Sequence, residues 1–194
     1  MVINLNSAPT QNEYELLPNG PYCLRATVIA GGVGNDGTLR RGNKNKRQLM
    51  LEFSYKVVGG DYDGREIRDF PTVAIDDSTD GDLPPMTVEQ RRSVGKQLRF
   101  GLMRLRAIID SAHRLDPNDR SPEMEGKRSF ETFDFFNGLQ FYAHVGWQPG
   151  QGRFGPSNQV DSVIVLGDPD YPEETKAVAP RKSLAEDFDD SVNF

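Results

Sequence analysis

Between Gln48 and Val58 the apolar side chains fall on every second residue. Leu49, Leu51, Phe53, Tyr55 and Val57 share one side, with Glu52, Ser54 and Lys56 between them. A helix would scatter these five residues around its circumference, whereas a strand collects them on one face. A strand with one buried face is not stable alone, so this segment commits the chain to a sheet covered on one side. The alternation recurs from Pro21 to Ala30, where Tyr22, Leu24, Ala26 and Val28 oppose Arg25 and Thr27. It recurs again where Leu139, Phe141, Ala143, Val145 and Trp147 alternate with Gln140, Tyr142, His144 and Gly146. One segment has the helical period instead: Val94, Leu98, Leu102, Leu105, Ile109 and Ala112 recur at spacings of three and four. Thr87-Val88-Glu89-Gln90 opens it as a capping box, and Asp116-Pro117 is expected to close it after about Arg114.

The turn cluster Gly59-Gly60-Asp61-Tyr62-Asp63-Gly64 predicts a hairpin into a third strand at Arg65–Phe70, and a fifth strand is expected over Gln159–Leu166. The resulting order is strand, strand, strand, helix, strand, strand. That is the element order of the OB-fold, a mainly-β, five-stranded Greek-key barrel. The expected organisation is a polar lead-in (1–20), one OB-fold domain (21–167) and a tail (168–194) too polar to fold alone and therefore disordered.

Composition narrows the function classes. Hydrophobic residues make up 36% of the 194, and no apolar run approaches the ~18 residues of a membrane span. The opening Met1-Val2-Ile3-Asn4-Leu5-Asn6 lacks the basic start and apolar stretch of a secretory signal, so a cytoplasmic protein is expected. The single Cys23 excludes a disulfide framework and a thiolate zinc cluster, and two histidines, His113 and His144, leave little for a His-based metal site. Neither a cofactor nor a metal is expected. Gly32-Val33-Gly34-Asn35-Asp36-Gly37 matches G-x-G-x-x-G, but it runs into Thr38-Leu39-Arg40-Arg41-Gly42-Asn43, which has no helical periodicity. A dinucleotide site needs a helix N-terminus there, so a glycine-rich hairpin loop is the better reading.

Two loops stand out for binding. Arg40, Arg41, Lys44, Lys46 and Arg47 put five positive charges into eight residues with no acid among them, between the first and second strands. Such a loop can track a phosphate backbone and release counterions, and OB-folds grip oligonucleotides at this connection. The loop between the fourth and fifth strands runs Trp147-Gln148-Pro149-Gly150-Gln151-Gly152-Arg153-Phe154, and its aromatics and arginine offer stacking surfaces for bases. Tyr142, Arg25 and Lys56 lie on the polar faces of their strands and complete the candidate nucleic-acid-binding set. Arg92, Lys96, Arg99 and Arg106 form a basic stripe on the helix, read as a solvated face. Phe130, Phe133, Phe135 and Phe136 are read as core.

The net charge of −6 is concentrated at the C-terminus, where residues 168–194 hold eight acids against three bases. The chain ends Glu186-Asp187-Phe188-Asp189-Asp190-Ser191-Val192-Asn193-Phe194. Two aromatics among acids, one of them terminal, give an apolar anchor and a charge cluster suited to a basic-rimmed pocket. This ending resembles the tip of bacterial single-stranded DNA-binding proteins, Asp-Phe-Asp-Asp-x-Ile-Pro-Phe. Asp187, Phe188, Asp189, Asp190 and Phe194 match it, Val192 matches conservatively, and Asn193 replaces the family proline. Leu17-Pro18-x-Gly20-x-Tyr22, Asp63-Gly64-Arg65 and Val94-Gly95-Lys96 resemble phage-encoded OB-fold proteins of the same binding class, with looser motifs.

These resemblances imply a phage protein that binds single-stranded DNA without reading sequence, in replication, recombination or repair. The tip would recruit partner proteins, and assembly into homo-oligomers would extend the few nucleotides that one OB-fold holds. An OB-fold interaction protein that does not bind DNA would explain the tail but leave the five-charge loop without a role. A nuclease is disfavoured, because Asp76, Asp77, Asp80 and Asp82 crowd into one loop and no acid–base pair or nucleophile stands out.

Overall fold

The computed structural model describes residues 16–34, 36–77, 83–150 and 155–172. Seven strands form one antiparallel sheet: β1 (Gly20–Ile29), β2 (Leu39–Arg41), β3 (Gln48–Val57), β4 (Glu66–Asp69), β5 (Thr72–Ile75), β6 (Gln140–Gln148) and β7 (Ser157–Ile164). Two helices, α1 (Val88–His113) and the short α2 (Pro122–Lys127), and a 3-10 turn at Phe133–Phe136 lie between β5 and β6.

β3 organises the sheet. β1 and β2 run along one of its edges, with Ile29 opposite Glu52 and Leu39 opposite Leu51. The chain between them loops out and returns through a bridge of Val33 to Leu39. β4 and β5 share the other edge, interrupted at Phe70-Pro71. β6 pairs with the free edge of β1, and β7 with β6. The alternation works as the sequence demands: Leu24, Ala26, Leu51, Phe53, Tyr55, Phe141 and Ala143 are buried on the inner face. Aromatic contacts tie that core together, Phe53 stacking on Tyr55 while Phe136 and Phe141 meet them edge-on.

The expected closed barrel of five strands is corrected to an open sheet of seven. β4 and β7 face each other without hydrogen bonding, across a groove of about 810 Å³. Leu16 and Leu17 enter that gap, and the Asn158 side chain bonds both the N–H and the carbonyl of Leu17. The incoming chain therefore occupies space that a closing ladder would need. The two interruptions, at 30–38 and at Phe70-Pro71, divide strands that the sequence reads as one or overlooks.

α1 carries the expected capping box, with the Gln90 N–H donating to the Thr87 hydroxyl and the Thr87 N–H to the Gln90 side chain. It ends at Arg114 in the left-handed region (φ 55°), before Pro117 is reached. Its packed side is Val94, Gly101, Leu105, Ile108 and Ile109, so Leu102, expected in the core, is exposed instead. Gly101 sets this rotation: a Cβ there would overlap the Thr72 carbonyl on β5. At the far end the buried Asp110 carboxylate takes the Arg128 guanidinium at 2.6 Å and Arg106 at 3.4 Å. Arg128 also donates to the carbonyls of Asp116 and Asp119, which clips α2 to α1.

The chain stays docked beyond Asp168, where a disordered tail was expected to begin. Tyr171 is buried, donates its hydroxyl to the Ser111 carbonyl and meets the Tyr142 ring edge-on at 5.7 Å. No helix among the described residues is long and apolar enough to cross a membrane.

Candidate nucleic-acid interface

The outer face of β1, β3 and β4 follows from register. Arg25 lies directly opposite Lys56. On the other side of β3, Lys56 lies opposite Glu66, and Ser54 opposite Arg68. Arg40, opposite Met50, falls on the same face at the β2 end. Four cations therefore share a surface with two carboxylates, Glu52 and Glu66. Both carboxylates are engaged: Glu52 by Arg40 and by Arg68 at 2.9 Å, Glu66 by Arg68. The Arg25 and Lys56 side chains are exposed and make no ion pair or hydrogen bond among the described residues. Arg25 and Lys56, as like charges directly opposite one another, oppose the pairing of β1 with β3, whereas Glu66 across from Lys56 favours that of β3 with β4.

Phe70 adds an aromatic surface. It is 44% exposed, and the Arg40 guanidinium lies over its ring at 5.2 Å. Glu52 holds that guanidinium in place, so the ring and the planar cation form one fixed platform. Beneath it, the Asp69 carboxylate accepts from Arg104 at 2.8 Å and from the buried Tyr55 hydroxyl at 3.3 Å. Burial, followed by the Asp69 charge, pushes the Tyr55 phenol well above its ordinary value, which keeps it a neutral donor.

The basic loop is not one mobile cluster. Arg40 and Arg41 belong to β2. Arg41 pairs with Asp76 at 2.7 Å, and Arg47 donates to the carbonyls of Asp76, Leu83 and Pro84. These two arginines fasten the β2–β3 loop to the chain that leaves β5. Lys44 and Lys46 remain exposed without a side-chain partner among the described residues.

The expected aromatics separate as well. Tyr142 is half-buried under Tyr171, and its neighbour Cys23 is partly buried, which pushes that thiol up against the opposing Tyr142 hydrogen bond and Arg25 charge. Trp147 is 51% exposed at the end of β6, opposite Asn158. Gln140 is the β6 residue opposite Arg25, so Trp147 stands about 23 Å further along β6 at ~3.3 Å per residue. Arg153 and Phe154 lie outside the described residues, as do Asp187, Phe188, Asp189, Asp190 and Phe194. Asp80 and Asp82 also lie outside them, whereas Asp76 and Asp77 are paired with Arg41 and Arg91.

The structure thus pairs Arg25 with Lys56, sets Arg40 on the same face but about 20 Å along β3 at ~3.3 Å per residue, with Lys44 and Lys46 in the loop beyond it, and leaves Trp147 on another strand. Sequence reasoning missed Phe70 and Arg68. The signal for Arg68 was available in its polar position within an expected strand, but Phe70 is recognisable only once Arg40 is seen across it. No protein-family model matches the chain, and no curated protein does at a significant level.

Proposed function

We propose that the protein binds single-stranded DNA without sequence preference across the outer face of β1, β3 and β4. The observation that carries this reading is the exposed Arg25–Lys56 pair, neither side chain in an ion pair among the described residues, on the same sheet face as the Arg40–Phe70 platform. Arg25 and Lys56 neutralise phosphates, while the exposed ring and guanidinium plane stack bases, which every base tolerates. Lys44 and Lys46 add positive charge at the start of β3, the end away from Lys56.

The fold reading that goes with it is an OB-fold open along one seam. Counting β1 with β2 and β4 with β5 leaves five strands, with α1 between the third and fourth. Their order across the sheet, third-second-first-fourth-fifth, supports this, and the third and fifth are the two that face each other across the gap. The acidic C-terminal tip serves partner proteins of replication, recombination or repair, on the strength of its resemblance to the bacterial tip. A phage origin rests on the looser resemblance of the body.

Fluorescence anisotropy with labelled oligo-dT at low and high salt tests the reading. Wild-type affinity should fall steeply with salt, and Arg25→Ala with Lys56→Ala should flatten the log–log slope by about two. An unchanged slope in that variant would remove this face from the interface.

A further inference from the structure

α1 packs on the sheet through Gly101, Leu105 and Ile108, yet leaves Phe100 65% and Met103 59% exposed. Arg92, Lys96 and Arg99 sit on the same side at i, i+4 and i+7, with Lys96 one turn before Phe100 and Arg99 one turn before Met103. All three are exposed, and their side chains make no ion pair or hydrogen bond among the described residues. Arg106, the fourth member of the stripe, differs: it is held by Asp110 and donates to the Pro117 carbonyl.

Between this side of α1 and the β4–β5 corner runs a groove of about 900 Å³. Phe100 and Met103 line one bank, Phe70 the floor of the corner, and Lys44 the bank formed by the β2–β3 loop. Two carboxylates also line it: Asp69 is neutralised by Arg104, whereas Asp161 accepts from the Gln159 amide and keeps its charge at the β7 side of the groove. Phe70 belongs to this groove and to the outer sheet face at once, because Arg40 covers its ring from that face.

We infer that the groove carries the continuation of the same strand. A single-stranded polynucleotide crossing the sheet passes Phe70 and runs along α1, with bases against Phe70 and Phe100 and phosphates toward Lys44, Lys96 and Arg99. This rests on the proposed binding function and extends it to a helix whose core side alone is used by the fold. Charge favours a polyanion, since three unpaired cations flank the apolar bank. Two exposed rings favour unpaired bases over a duplex, whose faces are already stacked. Continuity through Phe70 favours the strand already bound on the sheet over a separate protein partner.

The test compares oligo-dT of about four and about sixteen nucleotides, the limits of the usual site size for one OB-fold. Phe100→Ala should leave the short oligonucleotide bound as in the wild type and weaken the long one roughly tenfold. Lys96→Glu with Arg99→Glu should do the same and reduce the salt slope only for the long one. Both substitutions are on exposed positions, and circular dichroism verifies that α1 is intact. If the wild type binds neither oligonucleotide, the proposed function fails and takes this path with it. If the wild type binds both and both variants match it, the path alone is overturned. Unchanged DNA binding with lost binding of an oligo-glutamate peptide would overturn it too, assigning the groove to an acidic protein segment.

Discussion

Asp110 shows how a charge inside this protein is made tolerable. Its side chain is 2% exposed, and a lone carboxylate there would be strongly disfavoured. Arg128, itself 9% exposed, also donates from each of its two terminal nitrogens, to the carbonyls of Asp119 and Asp116, so all three of its nitrogens are hydrogen-bonded. Such a pair contributes modestly against an apolar alternative, but breaking one side strands the other. Asp110→Ala should therefore cost about 3–5 kcal/mol in urea unfolding. A loss below about 1 kcal/mol, the level of an exposed pair, would mean that Arg128 finds water instead. The arginines of the β2–β3 loop illustrate the same point at the surface. The charged residues of 40–47 are all basic, yet Arg40, Arg41 and Arg47 find partners 12 to 37 residues away. No local pattern announces those partners, so a run of five charges reads as one phosphate clamp when two lysines are what it leaves open. Arg25 and Lys56 were legible for the opposite reason, because strand alternation alone puts them outside.

At the scale of elements, α1 is positioned by a missing side chain. Gly101 lets the helix backbone approach the Thr72 carbonyl, whereas a Cβ at Gly95, six residues earlier, would meet nothing within 4 Å. Two identical substitutions should therefore have opposite signs. Gly95→Ala should stabilise by up to about 1 kcal/mol through helix propensity. Gly101→Ala gains the same propensity but forces helix and strand apart, and overpacking of about 1–3 kcal/mol should leave it net destabilised. Thermal unfolding of the pair decides this; equal midpoints would show that α1 does not seat on β5 at Gly101. Periodicity made the helix, its capping box and the long strands β1, β3 and β6 legible, since each depends on residues close in sequence. What it could not supply is how the helix is rotated about its axis. Leu102 fits the apolar spacing, but Gly101 pulls the neighbouring stripe against the sheet and turns Leu102 outward. The same rotation puts Phe100 in solvent. The split of two strands and the open seam were equally hidden, because they depend on where Phe70-Pro71 and Leu17 lie relative to distant strands.

At the scale of the whole molecule, the described chain closes on a docked residue, Tyr171, and half of the acidic excess follows it in sequence. Tyr171 sits in the body through its hydroxyl bond to Ser111, its contact with Tyr142 and the Arg114 guanidinium 5.9 Å above its ring. Burial pushes its phenol up, consistent with a ring removed from water. The residues after Pro172 hold six acids against three bases, half of the net −6, and all of the tip that resembles the bacterial one. A truncation after Pro172 therefore removes those charges and keeps the Tyr171 anchor, whereas one after Gly167 removes both. The first should unfold as the full chain does. The second should lose about 2 kcal/mol or more, the contribution of a large buried side chain. Single-stranded DNA affinity should stay the same or rise in the first truncation, most visibly at low salt, because a like-charged segment has been removed and screening is weak. Binding to replication and repair proteins should disappear with it, and Phe194→Ala in the full chain should reproduce that loss while leaving DNA binding intact. Loss of DNA binding in the truncation after Pro172 would show that the acidic segment belongs to the interface, and the separation of a binding body from a recruiting end would fail.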